Sequence, residues 1–173
     1  MAPVRSNFGR FATTPYRGSF FFVKRQNISS NKKEAMPKRY INPPTLFPSL
    51  QYGFSQAVIS RGGTTIYISG QTAWDAQMQL VGGRNLGAQT QQALCNLRAG
   101  VEAAGGVLAD VVALRLYIVN YKPEDAAAVG QALREFFPGE QAPASTWIGV
   151  TALAREEFLI EIEAVAVVEG SLE

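Results

Sequence analysis

From Phe54 onward the hydrophobic and polar positions fall into short, punctuated blocks. Phe54–Ser60 (FSQAVIS) alternates loosely and stops at Arg61-Gly62-Gly63, a turn signal, and Thr64–Ser69 (TTIYIS) is β-branched and aromatic, as strands are. The two read as a hairpin. Residues 71–84 are polar and glycine-containing, which predicts a loop with a short strand near Gln79–Val81. Leu94, Leu97 and Val101 then recur at helical spacing between Leu86 and Ala104, with Asn85 as N-cap and Gly105-Gly106 as the stop.

The second half alternates in the same way. In Val111–Val119 one face holds Val112, Leu114, Leu116 and Ile118, and the other holds Val111, Ala113, Arg115, Tyr117 and Val119, mixed enough that something should cover it too. Pro123 opens a second helix with Glu124 and Asp125 in its dipole-favoured first turn, Val129, Leu133 and Phe136 as its buried stripe, and Pro138-Gly139 as its end. Thr146–Thr151 and Leu159–Val168 read as the closing strands, the latter with Ile160, Ile162, Ala164 and Ala166 on one face and Leu159, Glu161, Glu163, Val165 and Val167 on the other. The order ββ(β)αβαββ predicts an α+β fold with two helices on one face of a sheet.

Composition narrows the function classes. The 173 residues, 47% hydrophobic and 17% charged, suit one ordinary domain. No apolar run reaches the roughly 18 residues of a membrane span. With Cys95 as the single cysteine no intrachain disulfide can form, and a small buried hydrophobe is its plainest role. The absence of histidine removes Ser-His-Asp and Cys-His nucleophile pairs and His-containing zinc sites. No metal-ligand cluster or cofactor motif is present: Gly62-Gly63, Gly82-Gly83 and Gly105-Gly106 fit no phosphate-loop spacing.

The net charge of +2 hides two unlike segments. Residues 1–35 carry seven Lys and Arg against one acid, and the remainder nine bases against thirteen acids. A nucleic-acid footprint would be a basic face on the folded body, so neither nucleic acid nor membrane is an expected partner of the body. The leader is rich in Arg, Ser, Phe and Asn and lacks periodicity. It reads as a disordered extension, with Met36-Pro37-Lys38-Arg39 resembling a natural start, or as an organellar transit peptide, or as a tether to nucleic acid or membrane. The location follows: cytoplasmic, or organellar if the leader is a transit peptide. Deleting residues 1–35 is expected to leave the melting temperature within about one or two degrees, checked by calorimetry; a large drop would mean that the segment packs on the body.

Two features could carry chemistry. Glu161 and Glu163, two apart on a strand, share a face about 6–7 Å apart amid apolar neighbours. They read either as an acid/base pair or as charges meeting arginines of another subunit. Ser69-Gly70-Gln71 ends a strand, where a glycine gives either a plain turn or close backbone approach to a ligand.

Phe54-Ser55-Gln56-Ala57, Ile68-Ser69-Gly70-Gln71, Val101-Glu102-Ala103-Ala104-Gly105, the strand Val111–Val119, Glu135-Phe136-Phe137-Pro138, Pro143-Ala144-Ser145 and Ile160-Glu161-Ile162-Glu163-Ala164 together resemble the Rid (YjgF-like) family. The resemblance runs in order from about residue 52 to 168. It implies a chorismate-mutase-like α+β fold, a mixed six-stranded sheet with two helices on one face, assembled as a homotrimer with small-metabolite clefts between subunits. Residues 1–38 are then the leader and 39–173 the Rid-like domain. The resemblance also implies hydrolysis of reactive enamine or imine intermediates to ketoacid and ammonia, with a non-catalytic small-metabolite-binding module as the alternative. The endoribonuclease name attached to some members suits an acidic body without histidine poorly.

Residue by residue, the resemblance keeps some of the deaminating branch's cleft and changes the rest. Gly70, beside Ser69, matches the site of backbone contact, and Glu161 matches the glutamate proposed to position the attacking water. The arginine that grips the substrate carboxylate is matched by Ser145, which cannot supply a bidentate, charge-assisted fork. Phe54 stands for the cleft tyrosine, Gly130 for an asparagine and Trp147 for a frequent cysteine, and about one extra residue falls around Ala154–Glu157. The sequence thus resembles an arginine-less subgroup with a more apolar cleft. It leaves open whether Arg84, Arg115 or Arg155 replaces the missing guanidinium.

Overall fold

The computed structural model describes residues 38–169; the expectations for the leader lie outside them. The strands are β1 (Arg39–Ile41), β2 (Ala57–Ile59), β3 (Thr64–Gln71), β4 (Val111–Val119), β5 (Ala144–Val150) and β6 (Ile160–Val168), and the helices are α1 (Leu86–Ala103) and α2 (Ala126–Phe136). Four strands form a mixed sheet in the order β3-β6-β4-β5, in which only the β4–β5 pair is parallel. The antiparallel pair β1–β2 forms a separate ribbon, joined to the sheet by a single parallel bridge from Ser55 to Ala144.

The helices follow the sequence signals closely. The Asn85 side chain accepts from the Ala88 N–H at 2.9 Å and caps α1, and Gly105 turns the chain away at φ +82°. Pro123–Asp125 forms a 3₁₀ turn ahead of α2, with the Asp125 carboxylate accepting from the Lys122 N–H at 2.8 Å, so the helix proper begins at Ala126. Leu94, Leu97 and Val101 of α1 join Val129 and Leu133 of α2 against Leu116, Ile118, Ile160, Ile162 and Ala166 of the sheet, all essentially buried. Both helices cover this one face. The opposite face carries Tyr67, 81% exposed, with Arg115 exposed and Tyr117, Glu161, Glu163, Val165 and Val167 half-buried.

Strand pairing departs from the sequence pattern in three places. The expected hairpin of 54–60 with 64–69 does not form: β2 pairs with β1, and β3 pairs with β6. An eight-residue strand satisfies more of its backbone groups beside nine-residue β6 than beside a three-residue neighbour. Gly63, at φ +77°, brings the turn against the end of β6, where a β-carbon would lie 2.6 Å from the Val168 carbonyl oxygen. The short strand near 79–81 reduces to one bridge, Trp74 to Leu80, closing a turn in which the Asp75 carboxylate accepts from the Gln77 and Gln79 N–H groups. In β4 a register shift between Val111 and Ala113 puts Val111 in the core in place of Val112.

Lys38, counted with the leader in the sequence, is held to the body: its Nζ donates to the Asp110 carboxylate at 2.7 Å and to the Ala109 carbonyl at 2.8 Å. Among the described residues no helix is long and apolar enough to cross a membrane.

Candidate functional site

Phe54, Ser145 and Trp147 come together. With Phe47, Tyr52, Tyr121 and Ala126 they line a cleft of about 240 Å³ beside the β5 edge. The segment between β1 and β2 supplies one wall and is pinned by its own polar groups. Asn42 Oδ1 accepts from the Gln56 N–H at 2.9 Å, and Gln56 Nε2 donates to the Phe47 carbonyl at 2.9 Å. Gly53, at φ +83°, folds Tyr52 and Phe54 back against α2, where a β-carbon would sit 2.8 Å from Leu133 Cβ. The rings meet edge to face, Phe47 with Tyr52 at 6.2 Å and with Phe54 at 6.1 Å. Across the cleft Tyr121 and Trp147 do the same at 6.3 Å.

Ser145 and Trp147 alternate along β5 and lie opposite Leu114 and Leu116, so both point to the helix-covered face. Trp147 Nε1 donates to Ser145 Oγ at 3.0 Å, which fixes both side chains and leaves the serine proton for another acceptor. Gly130 does not line the cleft. It is buried on α2, where the missing side chain admits the Tyr52 carbonyl, 3.3 Å from where a β-carbon would be. Phe47, Tyr52 and Tyr121 escape sequence reasoning because they fall in aperiodic segments. Their only signal is that large aromatics cluster where no core stripe claims them.

Ser69, Gly70 and Glu161 form a second group, on β3 and β6. The ladder slips between Ile68 and Gln71, so Ser69 and Gly70 form a bulge. The Glu161 carboxylate occupies the space above Gly70: a β-carbon there would come within 2.6 Å of Glu161 Cδ. Glu161 lies opposite Tyr117, on the sheet face away from the helices.

The two glutamates of β6 differ in partnership. Glu163 is ion-paired with Arg115, its cross-strand neighbour within the same chain. The Tyr117 hydrogen bond and the Glu163 charge together push the Arg115 guanidinium above its ordinary range. Among the described residues the Glu161 carboxylate has no hydrogen bond or ion pair, so its oxygens are free to accept from water. Of the three arginines left open by the sequence, Arg155 is engaged with Glu157 and stacked over Trp74. Arg115 lines a neighbouring cavity of about 220 Å³ that shares Phe54 and Ser145 with the aromatic cleft.

Residues 47–168 match the family described as Endoribonuclease L-PSP. The chain belongs to this family, the Rid (YjgF-like) family. It is 35% identical over 133 residues to a 2-iminobutanoate/2-iminopropanoate deaminase of Dermatophagoides farinae, covering 77% of this chain and 98% of that protein. Among solved structures it is similar to the Rid-family protein YyfB of Yersinia pestis, described as of unknown function, at 49% identity and a TM-score of 0.73, covering 77% of this chain and all of the other. RidA from the Antarctic bacterium Psychrobacter sp. PAMC 21119 aligns at 34% identity and a TM-score of 0.54, over 66% and 88% of the two chains. These Rid structures share the α+β architecture described above, so the expected α+β fold with two helices on one face of a mixed sheet holds. The expected six-stranded sheet is instead four strands, because the three-residue β1 and β2 pair only with each other as a separate ribbon.

Proposed function

We propose that this Rid-family chain assembles as a homotrimer with a small-metabolite cleft between each pair of subunits, where Glu161 directs water onto a reactive enamine or imine. One observation carries the reading. Ser145 and Trp147 lie on the helix face of β5, while Glu161 lies on the opposite face of β6, with β4 between them. The two groups are roughly 10 Å apart across the sheet and point in opposite directions. One chain therefore cannot bring them onto one ligand, and the open face of a second chain, set against the aromatic cleft of the first, can. The half-buried Val165 and Val167 and exposed Tyr67 supply apolar area for such a contact.

The chemistry balances with water alone. Glu161 takes one proton from water as the water oxygen bonds to the imine carbon and the C=N π pair moves onto nitrogen, which then receives that proton from Glu161. Glu161 next takes the new hydroxyl proton and passes it to the nitrogen as the C–N bond breaks, so ammonia leaves, a carbonyl compound remains and the carboxylate is restored. The deaminase name of the Dermatophagoides farinae relative supports this direction. A nucleic-acid backbone suits the cleft poorly, because its seven lining residues are uncharged and Glu161 would add a negative charge.

Ser145 favours a second reading, a module that binds without turnover, since a hydroxyl does not grip a carboxylate as an arginine does. Light scattering at micromolar concentration should give a trimer, and a stable monomer would sink the shared cleft. Ammonia release from 2-aminoacrylate separates the two readings: we expect it to be slow, because this substrate relies on the carboxylate grip.

A further inference from the structure

We infer that the cleft selects a flat, unsaturated ligand whose polar end is an uncharged hydrogen-bond acceptor, and that it disfavours carboxylates. This rests on the cleft being the ligand site of the assembled protein, as proposed above. In one chain three of its rings stay partly open, Phe47 at 56%, Tyr52 at 39% and Tyr121 at 37% exposure, so part of each is available to whatever lies between this cleft and the neighbouring subunit. Phe47, Tyr52 and Phe54 form one edge-to-face set, and Tyr121 with Trp147 forms another. A conjugated ring can present its face or edge to these aromatic walls, which a puckered saturated ring does less well.

The polar end is set by Ser145. Its oxygen already accepts from the Trp147 indole N–H, so its hydroxyl proton is what it offers a ligand. A carbonyl oxygen suits that donor. A carboxylate would also accept it, but none of the seven lining residues carries a positive charge and the ring faces are electron-rich. Arg115, at the neighbouring cavity, is already paired with Glu163. An anion at Ser145 would be left largely uncompensated.

The test uses the full-length protein and three probes, benzamide, benzoate and cyclohexanecarboxamide, titrated by calorimetry while light scattering reports assembly in the same samples. Benzamide should bind on the order of 10-fold tighter than benzoate, and also tighter than cyclohexanecarboxamide. Ser145→Ala should weaken benzamide several-fold, whereas Ser145→Arg should reverse the charge preference, improving benzoate by roughly 10- to 100-fold. Benzoate binding the natural protein as tightly as benzamide would overturn the charge argument. Equal affinity for the saturated amide would overturn the flatness argument, and no binding of benzamide at millimolar concentration by an intact trimer would overturn both. A trimer lacking these preferences leaves the assembly reading standing; a monomer sinks the assembly reading whichever probe it prefers.

Discussion

Glu161→Gln should abolish turnover of any substrate the protein accepts, by about 100-fold or more, with ligand affinity changed no more than a few-fold. The amide keeps the shape that fits over Gly70 and can still accept a hydrogen bond, but it cannot take a proton from water. Glu163→Gln is the comparison: its carboxylate is spent on Arg115, so it should touch assembly more than chemistry. Single-turnover ammonia release, read beside binding, checks both. Activity surviving Glu161→Gln would remove the residue from the mechanism.

A second large effect is expected at Gln89, a fully buried side chain on α1. Its Nε2 donates to the Gly83 and Glu157 carbonyls, and its Oε1 accepts from the Leu159 N–H at 2.8 Å. One side chain thus ties the loop before α1 to the loop that feeds β6. Gln89→Leu conserves volume but leaves the Leu159 N–H and the Gly83 and Glu157 carbonyls, in part-buried hydrogen bonds, without their partner, at about 1–3 kcal/mol for each that water does not reach. With water reaching some of them, a loss of roughly 3–5 kcal/mol remains, which lowers the melting temperature on the order of 10 °C for a chain of this size. Thermal unfolding at fixed protein concentration measures it. A shift of only a degree or two would mean that the loops hold themselves.

Much of this was legible in the sequence because local signals decided it. Asn85 and Gly105 bracket α1 through capping chemistry that acts within a few residues, and the alternation in β6 shows which face is buried. What was illegible depends on partners distant in the chain. Gly62-Gly63 looks like a tight hairpin turn, yet β3 is claimed by a strand almost a hundred residues later. Val112 and Val111 exchange faces because of a register slip that no alternation pattern announces. Glu161 and Glu163 are equivalent as letters; only the register, which sets Arg115 beside Glu163 and Gly70 under Glu161, tells them apart. Phe54, Ser145 and Trp147 could be carried over from a family resemblance. Phe47, Tyr52 and Tyr121 could not, since a loop held by Asn42 and Gln56 brings two of them to the cleft.

The opposed faces of the sheet also bear on inheritance. In the proposed trimer every chain lends Ser145 and Trp147 to one cleft and Glu161 to another, so a defect is owned by a cleft and not by a chain. Two faulty alleles, one damaged at Ser145 and the other at Glu161, would then not simply add. When their products mix, some clefts inherit both faults and others inherit neither, so pooling two inactive chains regenerates sound sites that neither allele can make alone.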